Sequence, residues 1–153
     1  MFSFGVAAGK FAANELKKRA LDIAKGVRKV ATMEVRVGSS TQSKLLYIHC
    51  NGSPANNIPP RNVLQAAAND KNSSKEVRAQ MRSAVMRALI GDLNGVDAAY
   101  EKAGMLAVTA VKSQFGIIPP PLKPETIRRK GSSATLIDTG SLMNSIDYQV
   151  VHK

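Results

Sequence analysis

The apolar positions of this chain change period several times, and each change predicts an element. Within residues 9–31, Leu16, Ala20, Ile23, Val27 and Val30 are spaced four, three, four and three apart. That spacing draws one apolar stripe along a helix. Met33-Glu34-Val35-Arg36-Val37 then alternates, the period of a half-buried strand. A turn cluster follows at Gly38 to Ser43. The apolar run from Leu45 to Cys50 predicts a second strand, paired with the first as an antiparallel hairpin. Asn51 to Pro60, with its Asn-Gly, Ser-Pro and Pro-Pro steps, predicts an irregular or extended loop.

Arg61 to Asn69 predicts a short helix or turn. Ser73-Ser74-Lys75-Glu76 has the form of a capping box, opening a helix with Val77, Met81, Ala84, Val85, Ala88 and Leu89 on one face. Gly91 ends it. A third helix is expected from Asn94 to about Phe115, burying Val96, Tyr100, Ala103, Ala107, Ala110 and Val111. Gly104 lies inside it, where glycine costs about 1 kcal/mol relative to alanine, so a close neighbour is expected there. The segment 117–135 is read as a stiff proline arm running into a basic loop. Pro119, Pro120, Pro121 and Pro124 lack backbone donors and disfavour helix in the residue before them. Pro124 to Thr126 looks like a first helical turn, and Arg128 to Ser133 a flexible basic hairpin or loop. Thr139-Gly140-Ser141-Leu142 opens one more turn of helix. Ile146 to Val151 alternates again and predicts a last strand in the same small sheet. The fold class expected is α+β: a small antiparallel sheet packed against a few amphipathic helices, with long loops and a proline-rich arm, in one domain over 1–153.

Charge alters this picture more than composition does. Lys and Arg total 22 against 11 Asp and Glu, a net charge of +11. Such an excess favours a polyanionic neighbour. Three groups of cations stand out: Lys17, Lys18, Lys25, Arg28 and Lys29 on the first helix, Arg78 and Arg82 one turn apart on another, and Arg128, Arg129 and Lys130 after the proline arm. Aromatic residues are only 5% of the chain and Trp is absent, so a core of aliphatic side chains is expected, with burial completed by other subunits. The opening Met1 to Val6 is too short an apolar stretch for a signal peptide and follows no basic segment. No run approaches the roughly 18 apolar residues of a membrane span. A single cysteine, Cys50, permits no internal disulfide and points to a reducing compartment.

Catalytic chemistry finds little to work with. His49, His152 and Cys50 are three soft ligands at poor spacing for zinc. His49 and Cys50, adjacent on the expected strand, would point to opposite faces. No phosphate loop and no dinucleotide fingerprint is present. Asp138 before Thr139 is read as a helix cap rather than a catalytic carboxylate. No enzyme activity, cofactor or metal is expected.

The C-terminal third carries a distinctive order of short motifs. Pro120-Pro121-Leu122-Lys123-Pro124-Glu125-Thr126-Ile127-Arg128-Arg129-Lys130-Gly131 leads to Leu136-Ile137-Asp138-Thr139-Gly140-Ser141-Leu142, then Asn144-Ser145-Ile146 and Tyr148-Gln149-Val150-Val151. Upstream stands Ile58-Pro59-Pro60-Arg61-Asn62-Val63-Leu64. This series resembles the tail-completion and neck proteins of tailed phages, the family typified by the tail-completion protein of phage HK97. The likeness runs over roughly 58–151. The first 57 residues match only in arrangement, and Asn62-Val63 stands where that family has Pro-Phe. The resemblance implies a non-enzymatic subunit of a six-fold or twelve-fold homo-oligomeric ring at the head–tail junction of the virion, assembled in the host cytoplasm. Its partners would be other neck, connector and tail tube or terminator proteins, and viral double-stranded DNA held without sequence preference, with no membrane. The cations above would face DNA or a partner. Pro59, Pro60, Arg61, Pro119, Pro120, Pro121, Leu122, Asp138, Thr139, Gly140 and Leu142 would make contacts between subunits. The alternative reading is a small basic nucleic-acid-binding protein acting by itself. Exposed aromatic rings for base stacking would favour that alternative, and the few rings here lie mostly on apolar faces.

Overall fold

Helices dominate, and one narrow sheet ties the two halves of the sequence together. The computed structural model describes residues 5–153, with side chains from Ala12 onward; most of the Met1 to Val6 stretch considered above as a leader lies outside that range. The order is α1 (Gly5–Thr32), β1 (Met33–Gly38), α2 (Ser43–Asn51), a 3-10 turn (Pro54–Asn56), α3 (Val63–Asn69), α4 (Lys71–Leu89), α5 (Leu93–Gln114), α6 (Pro124–Lys130), α7 (Ser141–Asn144) and β2 (Asp147–His152). The architecture is α+β, with a two-stranded antiparallel sheet.

The sheet joins β1 to β2, from Met33 opposite His152 to Gly38 opposite Asp147. The expected hairpin with Leu45 to Cys50 does not form, because that run is helical. Six apolar residues fit either period, and tertiary packing decides between them here. As helix α2, Leu46 and Cys50 fall one turn apart and both are buried, while Tyr47 between them is 69% exposed. β1 pairs with β2 instead.

Two apolar clusters meet along α5. One gathers Met33, Ala84, Ala88, Val96, Ala99 and Tyr100 between α4, the first half of α5 and the sheet. The other gathers Leu46, Cys50, Val63, Ala67, Val111, Phe115, Ile118, Leu142 and Ile146 around the end of α5. The predicted α5 stripe is buried at Val96, Tyr100, Ala103, Ala110 and Val111; Ala107 is only half-buried. The Tyr100 hydroxyl donates to the Val30 carbonyl at 3.0 Å, tying α5 to α1.

Caps decide where the helices start. The α4 cap is Asp70, whose carboxylate accepts from the Ser73 backbone N–H at 2.8 Å. Ser73 is therefore inside the helix, and the capping box expected at Ser73 and Glu76 is displaced by a better acceptor three residues upstream. Asp92 does the same for α5, accepting from the Gly95 N–H at 2.8 Å and from Arg87 Nη1 at 2.6 Å. Asp138 caps nothing: α7 is preceded by Gly140 at φ +79° with no side-chain cap. The basic loop predicted from Arg128 begins later than expected, since Arg128, Arg129 and Lys130 form the last turn of α6, where cations complement the helix dipole. Gly131 at φ +73° then stops that helix.

Among the described side chains of α1, those of its second half anchor it to the body. A Cβ on Gly26 would meet the backbone of Ala88, so the two helices approach closely at that point. All residues from Ala12 to Leu21 are exposed. Of the predicted stripe, Leu16 is 67% and Val27 is 48% exposed.

Candidate functional site

Residues from four segments separated in sequence line one cavity of about 550 Å³. α2 brings Leu45 and His49, and the start of the α3 segment brings Arg61. The proline segment and α6 bring Leu122, Thr126, Arg129 and Lys130. The turn into α7 brings Leu136, Asp138, Thr139, Gly140, Ser141 and Leu142, and Gln42 closes the near side. The cavity thus collects Arg61, Leu122, Arg129, Lys130, Asp138, Thr139, Gly140 and Leu142, all singled out from the sequence.

Arg61 is the centre of this arrangement. It is only 6% exposed. Its Nε donates to the Pro120 carbonyl at 2.8 Å and its Nη2 to the Pro121 carbonyl at 3.3 Å. Its own backbone N–H donates to the His49 carbonyl at 2.7 Å. The prolines cannot donate, so their free carbonyls are the natural acceptors for a planar guanidinium. These bonds hold the proline segment against the body, and Ile118 beside it is buried. The segment therefore does not extend away as an arm. No carboxylate pairs with Arg61 among the described residues. Burial lowers its pKa from the ordinary guanidinium value.

His49 lies against the same charge. Its Nδ1 is buried and finds no hydrogen-bond partner among the described residues. Burial, and then the charge of Arg61, holds its imidazole below the ordinary range. Cys50, next in sequence, points into the core, and burial pushes its thiol up, which disfavours the reactive thiolate. Leu136 lines the cavity in the left-handed region at φ +62°, a conformation costing an L-residue roughly 1–2 kcal/mol.

The remaining predicted contact residues divide by exposure. Pro60, Pro119, Pro120 and Pro121 are exposed at the surface, and Pro59 is half-buried. Arg61 and Leu142 are buried, Leu142 within the apolar cluster, and they reach solvent only through the wall of the cavity. Sequence reasoning missed His49, Gln42, Thr126 and Ser141 as cavity residues. An arginine directly after two prolines, as Arg61 is, was the available signal.

Among the cations, Lys17, Lys18, Arg28, Arg78, Arg82, Arg128 and Arg129 are exposed. On a helix Lys17 and Arg28 share a face, as do Lys18, Lys25 and Lys29. Lys25 is also exposed, but it pairs with Asp22 at 3.6 Å. Lys29 is withdrawn from solvent: it pairs with Asp97 and reaches the Leu93 carbonyl, binding α1 to α5. Lys130 donates to the Ala134 carbonyl and braces the turn after α6. Lys29 and Lys130 therefore serve the fold, and only the others remain for a polyanion.

A second surface is apolar. On α4 and the turn after it, Val85, Met86, Leu89 and Ile90 are 44–74% exposed, and on α1 Leu21 and Val27 are similarly open. Among the described residues no helix is long and apolar enough to cross a membrane, and no cluster of three or more metal-ligating side chains occurs.

No family model, curated protein or solved structure matches this chain.

Proposed function

We propose that this chain is a structural subunit of a tailed-phage virion, one of several copies closed into a ring at the head–tail junction. The observation that carries the reading is the convergence of its motif series. Pro-Pro-Arg at 59–61, Pro-Pro-Leu at 120–122 and Asp-Thr-Gly-Ser-Leu at 138–142 are separated by up to about eighty residues, yet they meet at Arg61 and its cavity. A motif order that resembles the neck and tail-completion family is thus also a single structural unit.

Two further features support assembly. Leucine, isoleucine, valine and methionine side chains left open on α1 and α4 are apolar area that a neighbouring chain would cover. The projecting half of α1 has no covering neighbour within the described residues, and an isolated helix of that length is marginal in water. Exposed cations on α1, α4 and α6 are suited to DNA phosphates, which they meet through charge without reading bases.

Negative-stain electron microscopy of the purified full chain tests the reading. Closed rings with a central hole support it. A monodisperse monomer at all concentrations up to the millimolar range counts against it.

A further inference from the structure

We propose that the cavity around Arg61 is a docking pocket for an acidic segment of a partner protein, whose carboxylate supplies the counter-ion that Arg61 lacks. The pocket requires only one partner strand or loop, so it stands apart from the ring reading.

A guanidinium 6% exposed and paired only with carbonyl oxygens is a buried charge without a neutralising partner. Such a charge is costly to keep unless an anion reaches it. Arg129 and Lys130 open onto the same space, so three cations face one carboxylate, that of the exposed Asp138. Lys130 is partly engaged with the Ala134 carbonyl, which leaves Arg129 as the free second cation. Planar guanidinium groups grip carboxylates through two parallel hydrogen bonds. Hydroxyls of Thr126, Thr139 and Ser141 border the cavity and provide further donors.

The shape of the cavity favours a peptide over a nucleic acid. Leu45, Leu122, Leu136 and Leu142 line it beside the cations. A duplex presents phosphates on a convex polyanion, which protruding lysines and arginines meet at the surface. A recessed cation among leucines fits a short segment in which an acidic side chain stands next to apolar ones. This chain has only 11 acidic residues against 22 basic ones, so a separate acidic protein is the better source of that segment than a second copy.

The test uses the full-length chain and a fluorescein-labelled, capped peptide that alternates leucine with aspartate, followed by fluorescence anisotropy. The control peptide replaces each aspartate by asparagine. The acidic peptide is expected to bind at least tenfold tighter than the neutral one. Arg129→Ala should weaken it by about tenfold. Thr126→Asp, which places a competing carboxylate in the cavity near the start of α6, should abolish binding with an unchanged far-ultraviolet circular dichroism spectrum. Lys17→Ala with Lys18→Ala, remote on α1, should leave the affinity unchanged. Equal binding of the two peptides overturns the proposal. So does full affinity in both cavity variants, or a loss confined to the α1 variant, which would mark general attraction to charge. Twenty-base-pair duplex DNA that binds in a Thr126-dependent manner, with no binding of the peptide, assigns the pocket to phosphate and also overturns it.

Discussion

The ring of Tyr148 on β2 lies directly over Gly104 in the middle of α5. A Cβ at Gly104 would overlap that ring, and the Tyr148 hydroxyl donates to Glu101 one turn earlier at 2.7 Å. The glycine exists for a strand side chain: it lets the sheet close onto the helix, and the hydrogen bond fixes the ring in place. Gly104→Ala should therefore destabilise the protein by roughly 1–3 kcal/mol, although alanine alone favours helix by about 1 kcal/mol. Adding Tyr148→Ala should make the same glycine replacement neutral or favourable. Urea unfolding of the four members of this cycle checks the prediction, and simple additivity would contradict it.

His49 gives the fold a dependence on pH. Its folded pKa lies below the ordinary 6.5, first through burial and then through Arg61. The unfolded chain therefore binds more protons than the folded one as pH falls below about 6.5. Stability is fully present above that value and is lost as pH falls toward the lowered folded value. His49→Gln should flatten the fall in melting temperature between about pH 7 and pH 5. An unaltered slope would place the dependence elsewhere.

Gly140 adopts φ +79° just before α7. A β-branched side chain is strained there by roughly 1–2 kcal/mol. Gly140→Val should lower the melting temperature by a few degrees, as expected for that loss in a domain of this size, and disturb the rim of the cavity. An unchanged melting temperature would show that the turn relaxes without cost.

Leu89 and Ile90 are 47% and 74% exposed at the end of α4. Leu89→Asp with Ile90→Asp should change monomer stability little, since each surface substitution shifts it by only about 0.5 kcal/mol. If this face lies between subunits, buried carboxylates there should convert assemblies to monomers in sedimentation velocity. Retained assembly would move the interface to another face.

Long periodic segments were the legible part of this chain. α1, α4 and α5 follow from apolar spacing over about three to four turns, and β1 and β2 from their alternation. Short apolar runs were not legible: Leu45 to Cys50 satisfies both periods, and the packing of Leu46 and Cys50 with Val63 and Ala67 resolves it in favour of helix. Local capping was misread where a stronger acceptor stood nearby, as Asp70 does before Ser73. At the cavity, the motif residues were visible in sequence but their roles were not. Nothing local to Arg61 reveals that its acceptors are the carbonyls of Pro120 and Pro121, about sixty residues away. Lys29 and Lys130 likewise looked like free charge, and only the folded chain shows their partners at Asp97 and Ala134.

The proposal that this polypeptide is a ring subunit between head and tail is tested most directly by cryo-electron microscopy of intact tailed-phage virions produced by the source of this sequence. The account predicts that the α1–β1–β2–α5 unit fits repeated density around the DNA channel at the neck, with exposed basic residues of α1, α4 or α6 facing the channel or an adjoining ring. Mature particles lacking the chain, or carrying it only away from the junction, would contradict it.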